Sequence, residues 1–83
     1  MTKQPLYKQI IDYFLKELRE GRFRPGDRIP TESELDRQFD VSRITVLRAL
    51  KEMEHLGLLY RVKGRGSFIS ERSKWLEPTL REA

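Results

Sequence analysis

Ser42-Arg43-Ile44-Thr45 and Gly64-Arg65-Gly66 are the two stretches of this chain whose residue types and spacing could do chemistry. Two hydroxyls flanking a planar guanidinium can exchange hydrogen bonds with an anionic or planar partner. A cation set between glycines lets backbone and charge approach a polyanion together. The surroundings agree: between Leu58 and Lys74 stand Arg61, Lys63, Arg65, Arg72 and Lys74, opposed only by Glu71, and a cationic cluster of this kind suits a polyanion. This is the chemistry of recognition, not of bond making. His55, the single histidine, has no plausible nucleophile or metal partner in the sequence, Ser42 is disfavoured as an enzymatic nucleophile for the same reason, and without cysteine there is no thiolate metal site and no disulfide framework. Capping a helix is a sufficient role for Ser42. No catalytic residue, metal or cofactor is expected. Nor do Gly64 and Gly66 read as a nucleotide fingerprint, because a helix must follow such glycines and strand-like residues follow these.

The frame that positions these residues is small. The chain has 83 residues, enough for one domain that buries only about 60% of its unfolded surface. Hydrophobic residues at 37% against charged residues at 36% give the balance of a folded protein, not a disordered one. Lys and Arg exceed Asp and Glu by 17 to 13. No apolar run approaches the length of a membrane span, and MTKQPLYKQI lacks the apolar core of a secretory signal. A cytoplasmic protein is the simplest reading.

Helical periodicity appears first in Leu6, Ile10, Phe14 and Leu18, with Ile11 and Leu15 beside them. This stripe predicts a helix over about Leu6 to Glu20, opened by Pro5 and stopped by Gly21. Pro25-Gly26-Asp27 is a turn, and Arg28-Ile29 a very short strand. Thr31-Glu32-Ser33-Glu34 has the form of a capping box, and a short second helix follows with Leu35 and Phe39 inward. Asp40 suits a left-handed turn. Ser42 caps a third helix, with Val46, Ala49, Leu50, Met53 and Leu56 buried and Arg43, Ile44, Leu47, Arg48 and Lys51 on the other side; Gly57 ends it. LLYRVK and SFIS around Gly64-Arg65-Gly66 predict a β-hairpin. Beyond Ser70 the pattern fades into a linker or tail, in which Trp75 and Leu76 either dock on the domain or serve as an anchor for a partner.

The expected fold is mainly α with a small hairpin: three helices plus a wing. A tight turn from Asp40 to Arg43 between the second and third helices has the spacing of a helix-turn-helix. Such a third helix presents its N-terminal side chains to the major groove of DNA, and a wing brings cations to the flanking minor groove. At this point PGDRIPTESELDRQFDVSRITVLRALKEMEHLGLLYRVKGRGSFIS resembles the GntR family of bacterial regulators. It carries, in order, the PGD-x-hydrophobic-P turn, the Ser/Thr-Glu cap, the VSR-x-TV start of the recognition helix, the GL break and the GRG-x-F wing. Its ending looks most like the HutC-type subgroup. The resemblance spans Leu6 to Ser70.

The resemblance implies roles position by position. Arg43 matches the family arginine that reads guanine, and its fork suits O6 and N7. Ser42 and Thr45 match phosphate contacts, and Thr31, Tyr7 and Arg28 are placed against the backbone as well. Lys63, Gly64, Arg65 and Gly66 form the wing tip for the minor groove, where arginine is drawn to a narrow-groove potential. Two positions depart from the family: Ser33 and Leu47 stand where relatives often carry arginine. Leu47 and Ile44 then either touch thymine methyl groups or, for Leu47, cover an apolar edge of the protein. The function implied is sequence-specific binding of a roughly palindromic double-stranded operator by the reading module of a metabolite-responsive repressor. Residues 1–70 would form that module, and 71–83 would lead toward an effector and dimerisation domain that lies outside this chain. Homodimerisation and the small-molecule effector belong to that domain, so the 83 residues alone are expected to be a monomer or at most a weak dimer. A winged helix that binds protein remains the competing class, which the cations of the third helix and wing argue against. An enzyme has almost no support.

Overall fold

The computed structural model describes residues 5–76. Three helices come first: α1 (Leu6–Arg19), α2 (Glu32–Phe39) and α3 (Arg43–His55). A two-stranded hairpin of β1 (Leu59–Val62) and β2 (Gly66–Ile69) follows, and then a single 3-10 turn at Arg72–Lys74. The helices end where local chemistry stops them. α1 begins after Pro5, and Glu20 is its C-cap, one residue earlier than the apolar pattern alone suggests, with Gly21 at φ 78° just beyond. α2 starts on a complete capping box. The Glu34 backbone N–H donates to Thr31 Oγ1 at 3.2 Å, and the Thr31 backbone N–H donates to Glu34 Oε1 at 2.8 Å. Two of the four N–H groups left over at a helix start are thereby satisfied. Asp40 closes α2 in the left-handed region at φ 53°, ψ 52°, a conformation Asp tolerates better than most residues.

The apolar faces of these elements meet in one core. Ile10, Ile11, Phe14 and Leu18 of α1, Leu35 of α2 and Val46, Ala49, Leu50 and Met53 of α3 are buried together with Ile29, Leu58, Leu59, Ile69 and Trp75. Aromatic rings fill its edge. Phe23 stacks on Phe14 with centroids 5.4 Å apart, and Tyr13 lies edge-on to Phe14 and to Phe39. Two members of the expected stripes differ. Leu6, the first residue of α1, is 52% exposed. Leu56 is only partly buried, because it is the C-cap of α3 and not a member of its helical face.

The hairpin is antiparallel with Leu59 opposite Ile69, Tyr60 opposite Phe68, Arg61 opposite Ser67 and Val62 opposite Gly66. The short strand expected at Arg28-Ile29 exists as one bridge from Arg28 to Phe68. It is extended by hydrogen bonds from Ile29 N–H to the Ser67 carbonyl at 3.0 Å and from Ile69 N–H to the Asp27 carbonyl at 2.8 Å. The wing is therefore a ribbon held on one edge by the segment that leads into α2.

The segment read above as a linker or tail does not all leave the fold. Trp75 is 2% exposed, inside the core, and its Nε1–H donates to the Ser70 carbonyl at 3.0 Å. The bend that allows this starts at Gly57. Its φ is +72°, and a Cβ there would sit 1.9 Å from the Lys74 carbonyl oxygen. Glycine is required at this position twice over, for its backbone conformation and for the approach of the returning chain. Leu76 N–H then donates to the Leu56 carbonyl at 2.8 Å, tying residues 70–76 to the C-terminus of α3. Leu76 itself is exposed. Residues 77–83 of the expected tail, like residues 1–4, lie outside the described residues.

Candidate nucleic-acid interface

The N-terminus of α3 is built by Ser42. Its Oγ accepts from the Thr45 backbone N–H at 3.3 Å and lies 3.1 Å from Thr45 Oγ1. This cap leaves Ser42 exposed and Thr45 half-buried on the rim of the helix end. Arg43, Ile44 and Leu47 project from the face turned away from the core. Ile44 is 79% exposed and Leu47 37%. An exposed isoleucine beside a leucine on a helix face gains nothing from water, so this small apolar surface suits a partner. Leu47 is exposed but far less so than Ile44, with part of its side chain covered by its own domain.

Arg43 is not a free cation. Its Nε donates to Asp36 Oδ2 at 3.0 Å, and its Nη2 donates to Ser33 Oγ at 3.0 Å. Both partners lie on α2, across the turn. Asp36 does not appear among the sequence-level site residues, and Ser33 appears only as a departure from the family. No short-range spacing links either to Arg43, and the tertiary packing of α2 on α3 brings them together. Arg48 is a second such residue. Its guanidinium carbon lies 4.1 Å above the centre of the Tyr7 ring, within the range of a cation–π contact. Tyr7 is thus paired with α3 at the start of α1, and Arg48 is held on the same side of the domain.

The wing supplies the other cations. Arg65 N–H donates to the Val62 carbonyl at 2.9 Å to close the turn, and Gly64 takes φ 79° at its third position, a geometry that favours glycine. Lys63, Gly64 and Arg65 are exposed at the tip, and neither cation makes an ion pair among the described residues. Gly66 at φ 114° brings the ribbon against Arg28, whose Nε would lie 3.1 Å from an added Cβ. The structure so brings Arg28 to the base of the wing. Arg61 behaves differently from its neighbours in the basic cluster. Glu54 at 3.4 Å and Glu32 at 3.9 Å face its guanidinium, so much of its charge is matched within the protein. Thr31, engaged in its capping box, stands at the N-terminus of α2.

Among the described residues no group of three or more His, Asp or Glu side chains is arranged to hold a metal ion, and no helix is long and apolar enough to cross a membrane. What the arrangement offers is a helix N-terminus with two hydroxyls and a restrained arginine, an apolar pair one turn along, and a glycine-bent ribbon tip with two cations.

Known proteins are similar to this chain in sequence and fold. The model of bacterial regulatory proteins of the gntR family matches residues 6–69. Over 71 residues the chain is 39% identical to the mannosyl-D-glycerate transport/metabolism system repressor MngR of Escherichia coli (strain K12), covering 86% of this chain and 30% of that protein. It is 43% identical over 67 residues to the histidine utilization repressor of Klebsiella aerogenes, covering 81% of this chain and 28% of that one. The chain thus spans under a third of the curated relatives it matches. Among solved structures, the DNA-binding domain of AraR in complex with operator ORR3 superposes with a TM-score of 0.79 at 38% identity over 83% of each chain. With the fold and these matches in agreement, the chain belongs to the gntR family of bacterial regulatory proteins and is a winged helix-turn-helix DNA-binding domain of that family.

Proposed function

We propose that this domain reads a roughly palindromic double-stranded operator for a metabolite-responsive repressor. The observation that carries this reading is the pairing of an exposed, capped α3 N-terminus with a wing tip whose Lys63 and Arg65 are unmatched within the described domain. In this reading α3 enters the major groove. Arg43 pairs with a guanine, Ile44 and Leu47 meet thymine methyl groups, and Ser42 and Thr45 bind phosphate. Thr31, Tyr7 and Arg28 meet the flanking backbone. Lys63, Gly64, Arg65 and Gly66 lie in the minor groove. The wing sequence and the match to a histidine utilization repressor support the HutC-like subgroup. Repressors among the relatives support repression over activation. Homodimerisation and response to a small effector are assigned to chain beyond residues 1–70, and the cytoplasm to the whole regulator.

The test is selection of duplexes from a random library on the immobilised domain, followed by titration of the winners and of unrelated DNA over a range of salt. A preferred duplex whose affinity falls steeply with salt is expected, since cations displace the counterions of the backbone. Equal, weak binding to every duplex would overturn the reading and favour a protein-binding winged helix.

A further inference from the structure

Resting on that reading, we infer that Asp36 and Ser33 of α2 are specificity-determining positioning residues, which hold Arg43 so that it can pair with a base in one manner only. A guanidinium carries five N–H donors and can form a bidentate pair on two kinds of edge: Nε with one amino group, or the two amino groups together. Here Nε has a single hydrogen and gives it to Asp36 Oδ2 at 3.0 Å. Ser33 Oγ takes one from Nη2 at 3.0 Å. The edge that includes Nε is closed. Nη1 keeps both its hydrogens and Nη2 keeps one, so the end-on pair of amino groups is the bidentate mode that remains. The Arg43 side chain is still half-exposed at 54%, whereas Asp36 is 22% exposed. The restraint therefore comes from below and leaves the tip open.

The cost of this arrangement to α2 shows that Asp36 is not there for the helix. Asp36 stands in the last turn of Glu32–Phe39, where the carbonyl end of the helix disfavours an anion. One of its oxygens, Oδ1, is buried without a hydrogen-bond partner. Both features make Asp36 a poor stabiliser of its own element, and its charge is answered by Arg43. The same carboxylate has a second effect. It offsets the Arg43 charge toward phosphates, which any duplex presents, while leaving donors for a base edge, which only some steps present. Asp36 thus favours discrimination over raw attraction.

The experiment uses the domain itself with Asp36→Ala, Ser33→Ala and Arg43→Ala, each checked for helical content by circular dichroism. Asp36→Ala removes an anion from a helix C-terminus, so folding is expected to survive. The duplex pair is a selected site and the same site with the guanine sensed by Arg43 replaced. Asp36→Ala is expected to reduce the preference for the guanine duplex by about tenfold, and to raise affinity for unrelated DNA with a steeper salt dependence. Ser33→Ala lowers the guanine preference by less and leaves the affinity for unrelated DNA unchanged, because it removes a hydroxyl acceptor and no charge, and Ser33→Thr, which restores a hydroxyl, recovers the preference. An Asp36→Ala domain that keeps its full guanine preference while binding both duplexes more tightly would overturn the proposal, leaving Asp36 as a simple repulsive charge. An Arg43→Ala domain that retains the guanine preference would instead overturn the base-reading role of Arg43, and the proposal with it; the two failures are read from different variants.

Discussion

The two ends of α3 are built on opposite principles. At its start, Ser42 caps the helix through residues three positions away, and Arg43, Ile44 and Leu47 stand open to solvent with restraint only from α2. At its end, Leu56 and Gly57 are gripped by residues 70–76: a backbone hydrogen bond joins Leu76 to Leu56, the Lys74 carbonyl presses on Gly57, and Trp75 fills the core behind. One end is a lever held out for a partner, and the other is its mounting. The contrast teaches that affinity and stability should separate along a single helix.

The largest effects are expected at the mounting. Trp75→Ala should cost about 3–5 kcal/mol of stability, a large share of what a domain this size possesses. Gly57→Ala should cost at least as much, because its Cβ cannot coexist with the Lys74 carbonyl and a left-handed φ disfavours it in any case. Urea denaturation followed by circular dichroism measures both, and the fluorescence of Trp75, the single tryptophan of the chain, adds a second readout for Gly57→Ala. A loss below about 1 kcal/mol for either variant would show that residues 70–76 are dispensable and dissolve the comparison.

At the open end Arg43→Ala should weaken binding to a selected duplex by about 1–3 kcal/mol and relax mainly one guanine position. Its melting temperature should fall by no more than a few degrees, since the arginine side of the lost pair is open to solvent at 54% exposure, while Asp36 at 22% loses its partner. An equal loss on every sequence would make Arg43 a phosphate contact. Ser42→Ala should cost about 1 kcal/mol of stability through the lost cap, besides its effect on binding; an unchanged denaturation midpoint would show that Thr45 needs no cap. Leu47→Ala sharpens the boundary between the two regions. A shifted preference at a thymine with little change in melting temperature places Leu47 with the open end, whereas an intact preference with a lowered melting temperature places it with the core.

The smallest effect concerns the capping box of α2. The Thr31 backbone N–H and then its hydroxyl hold the Glu34 carboxyl below the usual glutamate range, with Arg37 and Arg28 adding to this. A carboxyl lowered on folding stabilises the fold above its unfolded pKa, and that contribution is lost as pH falls through the folded value. Glu34→Gln keeps an acceptor for the Thr31 N–H but has no charge to lose. Its stability should therefore fall less steeply than the parent's on the acid side of the glutamate range. Parallel slopes in pH-dependent denaturation would remove Glu34 from the account.

Features that depend on residues within about four positions of one another were legible in the chain by itself: the Thr31–Glu34 box, the left-handed Asp40, the Ser42 cap, the Gly57 stop and the glycines of the wing. Each is a local competition between a few backbone groups and one side chain, and its outcome is written in the residue types. The family motifs extended this to the fold. Tertiary structure decided the rest. Arg43 finds Asp36 and Ser33 only because α2 packs on α3, Arg48 finds Tyr7 only because α1 does, and Arg61 loses much of its free charge to Glu54 and Glu32. Leu6, apolar and in phase with a buried stripe, stays exposed, because none of the described elements covers its side chain in the first turn of α1. Trp75 follows a segment without periodicity, so no pattern announces its burial. It enters the core because Gly57 leaves room for the chain to return, and that room exists only once α3, the wing and residues 70–76 are folded together.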